Sequence, residues 1–150
     1  MSSSTHPSSS SDFPLAAYRQ LAELRYSIRQ FLHFSEQAAR DNGFEPQQHQ
    51  LLLTVKGLPP GLRPTITVIS GRLGLRHHST VELINRMVER GVVTRRHSEP
   101  DRREALIELT CAGEELLRKL SILHWDELKK QAPALSDALQ AIVSPNRNQR

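Results

Sequence analysis

Apolar residues along this chain fall into runs of distinct period. Leu15, Tyr18, Leu21, Leu24, Ile28, Phe31, Leu32 and Ser35 recur at three- and four-residue steps, and Asn42-Gly43 follows. This pattern predicts one long helix from Leu15 to about Asp41. Pro46 opens a second helical run through Leu51, Leu52, Leu53 and Val55, closed by Gly57. The linker LPPGLRP comes next, and then Thr65 to Arg72, where two readings compete. TITVI is β-branched and favours a strand. Its place ahead of another helix favours a short strand at Thr65-Ile66 leading into a helix through Leu73, and we follow position. Gly71 inside that helix is costly alone, which suggests close packing on the next helix.

After Gly74, the positions Thr80, Leu83, Ile84 and Met87 mark the buried face of a further helix, and Arg90-Gly91 stops it. VVTRRH and ALIELT are β-rich runs joined by SEPDRRE, a turn-forming stretch. Beyond them Thr110 is a candidate N-cap, and Glu114 and Glu115 suit the positive end of a helix. Leu116, Leu117, Leu120, Leu123 and Leu128 continue that helix, and Pro133 ends it or starts another. Ala134 to Val143 then reads as a short apolar helix with Leu135, Leu139 and Ile142 on one side. The predicted fold is mainly α with a small β-hairpin wing. Helix, helix and a hairpin with an arginine-rich tip form the layout of a winged helix-turn-helix.

Charge sharpens the picture. From Arg72 to Arg103 eight arginines stand against four acids, Glu82, Glu89, Glu99 and Asp101. The segment is therefore +4, as is the whole chain, so the basic excess belongs to this module. A localised positive face suits a phosphate backbone, whose affinity comes largely from counterion release. Charge runs are more often a solvated surface, but this one coincides with a helix and a hairpin tip. The pI near 9.7 agrees with a polyanionic partner.

Composition bounds the rest. At 150 residues the chain is one domain in size. Residues 1–13 are serine-rich, with little to bury, and are expected to be disordered. The start lacks the basic and apolar regions of a signal peptide, and no apolar run is long enough to span a membrane. A single cysteine, Cys111, excludes an internal disulfide and fits a reducing cytoplasm. No nucleophile–base set, phosphate loop or metal constellation is present, which argues against an enzyme and against a cofactor.

The stretch LGLRHHSTVELINRMVERGVVTRRHSEPDRREALIELTCAGEELL resembles the MarR family of bacterial transcription regulators. Its most specific part is the wing, G-V-V-T-R-R-x-x-x-x-D-R-R-x-x-x-I-x-L-T-x-x-G, matched from Gly91 to Gly113. The resemblance extends over about residues 15–143 and implies one domain over 14–144. In that domain a winged helix-turn-helix lobe (about 46–110) is flanked by dimerisation helices (about 15–41 and 111–143), and a loose tail, 145–150, follows.

The segment after Leu75 is the recognition helix, whose N-terminal part enters the major groove in such proteins. Arg76, His77, His78, Ser79, Glu82, Asn85 and Arg86 face outward. Histidine, serine and arginine can address base edges or hold phosphates, while Glu82 can accept from a cytosine amino group or pair with Arg86. The family commonly has valine where Thr80 stands and small or polar residues at His77 and His78. By the same resemblance Asp101 pairs with an arginine to stiffen the wing and Arg103 enters the minor groove, where narrow A·T-rich sequence concentrates negative potential. Arg95, Arg96 and Arg102 are then phosphate contacts or pairing partners.

Other residues are weaker candidates. His77, His78 and His97 lack the acidic or thiol partners of a metal site. Cys111 reads as a buried structural thiol, with a redox-sensing thiol at a helix N-terminus as the alternative. Family members commonly bind small aromatic or anionic effectors in a cleft beside the dimer helices, for which Tyr26, Arg29, His33, His49 and Trp125 are the candidates here. The expected protein is thus a cytoplasmic, homodimeric, ligand-responsive repressor of double-stranded DNA with a palindromic operator, the rival being a winged-helix protein-interaction module.

Overall fold

A computed structural model describes residues 12–98 and 103–144 of the 150-residue chain. Its elements are α1 (Leu15–Asp41), α2 (Pro46–Lys56), α3 (Ile66–Leu73), α4 (His77–Glu89), β1 (Val93–His97), β2 (Ala105–Leu109) and α5 (Cys111–Val143). The expected disordered start and loose tail lie outside the described residues, apart from Asp12 and Phe13.

Two forces set the middle of the chain. Thr65 bridges to Leu106 of β2, and the Ile107 N–H donates to the Pro64 carbonyl at 2.9 Å, so the strand character of this stretch is spent within two residues. From Ile66 the chain is helical, with the Thr65 hydroxyl accepting the Val68 N–H as a cap. Burial decides against β-propensity here: Ile69 is fully buried in the core only if α3 forms. Gly74 then takes a left-handed φ of 65°, the turn between the two helices that a side chain would strain.

On α4, Thr80, Leu83, Ile84 and Met87 are buried, and the three apolar ones join Leu51, Leu52, Ile69, Val93 and Ile107 in one core. The Thr80 hydroxyl escapes the cost of burial by donating to the Arg76 carbonyl at 3.0 Å. The Ser70 hydroxyl of α3 lies 2.9 Å from it, which joins the two helices.

The wing is antiparallel, from Val93 opposite Leu109 to His97 opposite Ala105. Thr110 caps α5, its hydroxyl accepting the Gly113 N–H.

Two expectations change. The separate helix over Ala134–Val143 does not exist, because α5 runs unbroken through Pro133. Proline removes one helical N–H, but Pro133 and Lys129, whose carbonyl loses that bond, are both exposed, so water can replace it. Nor does Gly71 pack closely on a neighbour: a Cβ there would meet nothing within 4 Å. Gly71→Ala is therefore expected to stabilise the protein by roughly 0.5–1 kcal/mol, seen as a higher urea midpoint. A lower midpoint would show that α3 needs the freedom of glycine. Finally, α1 and α5 pack along one another and bracket the winged lobe.

Candidate nucleic-acid interface and effector cavity

The start of α4 has no side-chain acceptor of its own. Its N-cap, Arg76, makes no side-chain capping bond, and no acid occupies the first turn. The first amides therefore lack a side-chain acceptor at the positive end of the helix dipole. Around them Arg76, His77, His78, Glu82 and Arg86 are exposed, and Ser79 is half-buried.

The wing is tied to this helix. The Arg95 guanidinium, reaching from β1, donates to the Asn85 side-chain oxygen on α4. Arg96 pairs with Glu108 across the hairpin at 3.0 Å. That pair is exposed and worth under about 1 kcal/mol, so a phosphate can displace it. Arg103 is exposed where the chain re-enters the hairpin, whereas Asp101 and Arg102 lie outside the described residues. One residue that braces the wing escaped the sequence reading. Arg63, in the Pro/Gly linker, pairs with Glu104 at 2.7 Å and donates to the Ser98 hydroxyl at 2.7 Å, bracing the wing from below. Nothing local marks it, because its partners are 35 or more residues away.

A cavity of about 430 Å³ opens between α1, α2 and α5, lined by Phe31, Leu32, His49, Leu53, His124 and Trp125 among others. Of the effector candidates, His49 and Trp125 meet here. Tyr26 and His33 are exposed on α1 outside this lining, and Arg29 lines a separate depression with Arg25, Ile28 and Leu32. His124 and Phe31 complete the lining, and nothing in the spacing of either marks it for this cavity.

His49 and His124 stack face to face, ring centroids 4.6 Å apart, and Phe31 and Phe34 meet His124 edge-on. The Nε2 atoms of both histidines are buried without a partner. His124 Nδ1 contacts the Leu120 carbonyl, which can only accept, so that nitrogen carries the hydrogen. Burial, and then the neighbouring His124, lower the His49 pKa from 6.5 to about 4.

The lowered pKa has a consequence for stability. Between pH 6.5 and about 4 the unfolded chain binds a proton that folded His49 refuses. The contribution of His49 is thus intact above that window and lost as pH falls through it, on the order of 2 kcal/mol by pH 4.5. Thermal melts of the wild type should fall more steeply over this range than those of His49→Gln. Parallel curves would place the acid sensitivity elsewhere.

Cys111 is exposed, not buried, because it is the first residue of α5 and points off the core. It lines a shallow depression with Lys56, Glu114 and Arg118. His77, His78 and His97 are all exposed, and among the described residues no cluster of three or more metal-ligating side chains occurs. No described helix is long and apolar enough to cross a membrane.

Known proteins place this architecture. The MarR family profile matches residues 42–104. No curated protein matches the chain. Among solved structures it is similar to AbsC, a MarR family transcriptional regulator from Streptomyces coelicolor, at 22% identity and TM-score 0.65, covering 86% of this chain and 88% of that one. CouR from Rhodococcus jostii RHA1, bound to p-coumaroyl-CoA, gives 21% identity, TM-score 0.60 and coverage of 82% and 90%. A MepR variant from S. aureus, bound to an oligodeoxyribonucleotide, gives 15%, 0.60, and 88% and 94%.

Proposed function

We propose that the chain, whose residues 42–104 match the MarR family profile, is a DNA-binding transcription regulator of that family and acts as a homodimeric, ligand-responsive repressor of a palindromic operator. One observation carries this reading. The uncapped start of α4 and the arginines of β1 belong to one unit, joined by the contact from Arg95 to Asn85. A helix N-terminus in the major groove and an arginine wing beside it would then move as one body. In this arrangement Arg76, His77, His78, Ser79, Glu82 and Arg86 address the major groove and its flanking phosphates. Arg95, Arg96, Arg102 and Arg103, with Asp101, form the wing.

Dimerisation is supported by the apolar residues that α1 and α5 leave exposed, among them Leu15, Tyr18, Leu139 and Val143. Effector binding is supported by the cavity, which lies where the winged lobe meets α1 and α5. An occupant that binds better when the lobes are set apart would shift the population away from the spacing that two half-sites require. The oligonucleotide held by the MepR variant and the p-coumaroyl-CoA held by CouR agree with a duplex and a small aromatic effector as partners here. The setting is the bacterial cytoplasm, on the nucleoid when bound.

The test is selection of bound duplexes from a random pool, with affinity then followed against salt. Enrichment of a two-fold symmetric site and a steep salt slope support the regulator. No enrichment and a shallow slope would instead indicate a protein-binding module.

A further inference from the structure

Arg90 belongs to the basic excess of the chain and is exposed, yet its guanidinium lies flat against the protein surface. Its Cζ lies 3.6 Å from the centroid of the Phe44 ring. Its Nη1 donates to the Gln48 Oε1 at 3.1 Å, and the same oxygen accepts the Glu45 backbone N–H at 3.1 Å. Both partners are held: Phe44 is part of the core, and Gln48 is 6% exposed and completes the capping box of α2. Gly43, at a left-handed φ of 77°, turns the chain here, and a Cβ on it would stand 3.8 Å from Arg90 Nη2. One side chain thus binds the end of α4 to the corner where α1 becomes α2.

Position along α4 gives this contact its meaning. The helix has 13 residues, and Arg90 caps the end opposite Arg76. About 20 Å of helix therefore separates it from the turn that enters the groove. Over that length a tilt of about 5° at one end moves the other by about 2 Å, which is most of a hydrogen bond. An arginine can stack flat on a ring and donate in its own guanidinium plane at once, whereas a lysine ammonium, a point charge, cannot hold that geometry.

We infer that Arg90 is a positioning residue for DNA recognition: it bolts the C-terminal end of α4 to the α1–α2 corner and so sets the angle at which the recognition helix meets the duplex. This rests on the DNA-binding reading above. It separates Arg90 from the arginines that serve the backbone, although all carry the same charge. The next residue after Gln48 is His49 of the cavity wall, so the corner that holds the recognition helix adjoins the cavity.

The experiment uses the full chain, the enriched duplex from the selection and a random-sequence duplex. The variants are Arg90→Lys, Arg90→Ala and Gln48→Met, the last of which changes no charge. A positioning role predicts that Arg90→Lys and Gln48→Met both lose on the order of tenfold in affinity for the enriched duplex. Their salt slope and their affinity for random duplex stay as in the wild type. Hydrogen exchange without DNA should rise together at residues 42–48 and in the last turn of α4. Rescue by Arg90→Lys, with Arg90→Ala lowering the salt slope by about 1 and weakening both duplexes alike, would make Arg90 a phosphate contact and overturn the inference. If no duplex is enriched, the operator reading fails separately. Exchange then decides: unchanged protection of both segments in Arg90→Lys removes the bolt.

Discussion

Gly113→Ala will destabilise the protein by about 3 kcal/mol, although alanine is the better helix former. The reason is space. A Cβ at position 113 would stand 2.0 Å from the Val92 carbonyl oxygen and 3.0 Å from its carbon. That carbonyl cannot retreat, because it accepts the Thr110 N–H at 3.1 Å and its residue sits in the core. Thr110 cannot retreat either, since its hydroxyl donates to the Gly91 carbonyl at 2.6 Å and accepts the Gly113 N–H at 3.1 Å. The junction of α4, β1 and α5 is a closed set of contacts, and one methyl group has to open it. Urea melts should show a lower midpoint at an unchanged slope. A midpoint equal to the wild type's would mean that the base of the wing yields freely. The contrast with Gly71→Ala is instructive, because the same substitution in another helix is expected to stabilise.

That contrast marks where sequence reading reaches its limit. Both glycines sit in helices and carry the same local penalty, and only the distance to Val92, far off in sequence, separates them. What was legible rested on periodicity. The buried face of α4 was plain from Thr80, Leu83, Ile84 and Met87, because a helix repeats its environment every three or four residues. The wing was legible because its two strands and the following cap lie within one short stretch. Pro133 misled because a proline's local signal is strong while its cost depends on whether water can reach the orphaned carbonyl. The partners of Arg63, Asn85 and Arg90 were hidden for the same reason: charge and polarity are visible in a sequence, but direction is not. Of the eight arginines from Arg72 to Arg103, Arg90 faces protein, Arg95 joins wing to helix and Arg96 pairs with Glu108. In the cavity, His49 was a candidate only as a polar residue near an apolar face. Its stacking on His124 joins α2 to α5, a pairing that no spacing encodes.

Leu139→Glu should convert the proposed dimer into a monomer and lower affinity for the full operator by a hundredfold or more. The helices that bracket the lobe have 27 and 33 residues, about 40 and 50 Å, and they bury only part of their apolar faces on each other. Leu139 remains 49% exposed, Leu15 62% and Val143 75%. A second copy related by a two-fold axis would cover such a face with its own equivalent. A glutamate there then places two uncompensated carboxylates in one interface, while costing a single chain little because the position is already open. The large loss of affinity follows from geometry rather than from any lost DNA contact. Once one lobe holds its half-site, the second binds at a high effective concentration, and a monomer forfeits that advantage. Affinity for an isolated half-site should therefore stay as in the wild type. Sedimentation gives the mass, and titration against full and half operators gives the two affinities. An unchanged mass would mean that this face is not the dimer interface. A monomer that still bound the full operator as tightly would mean that the operator is not read by two joined lobes.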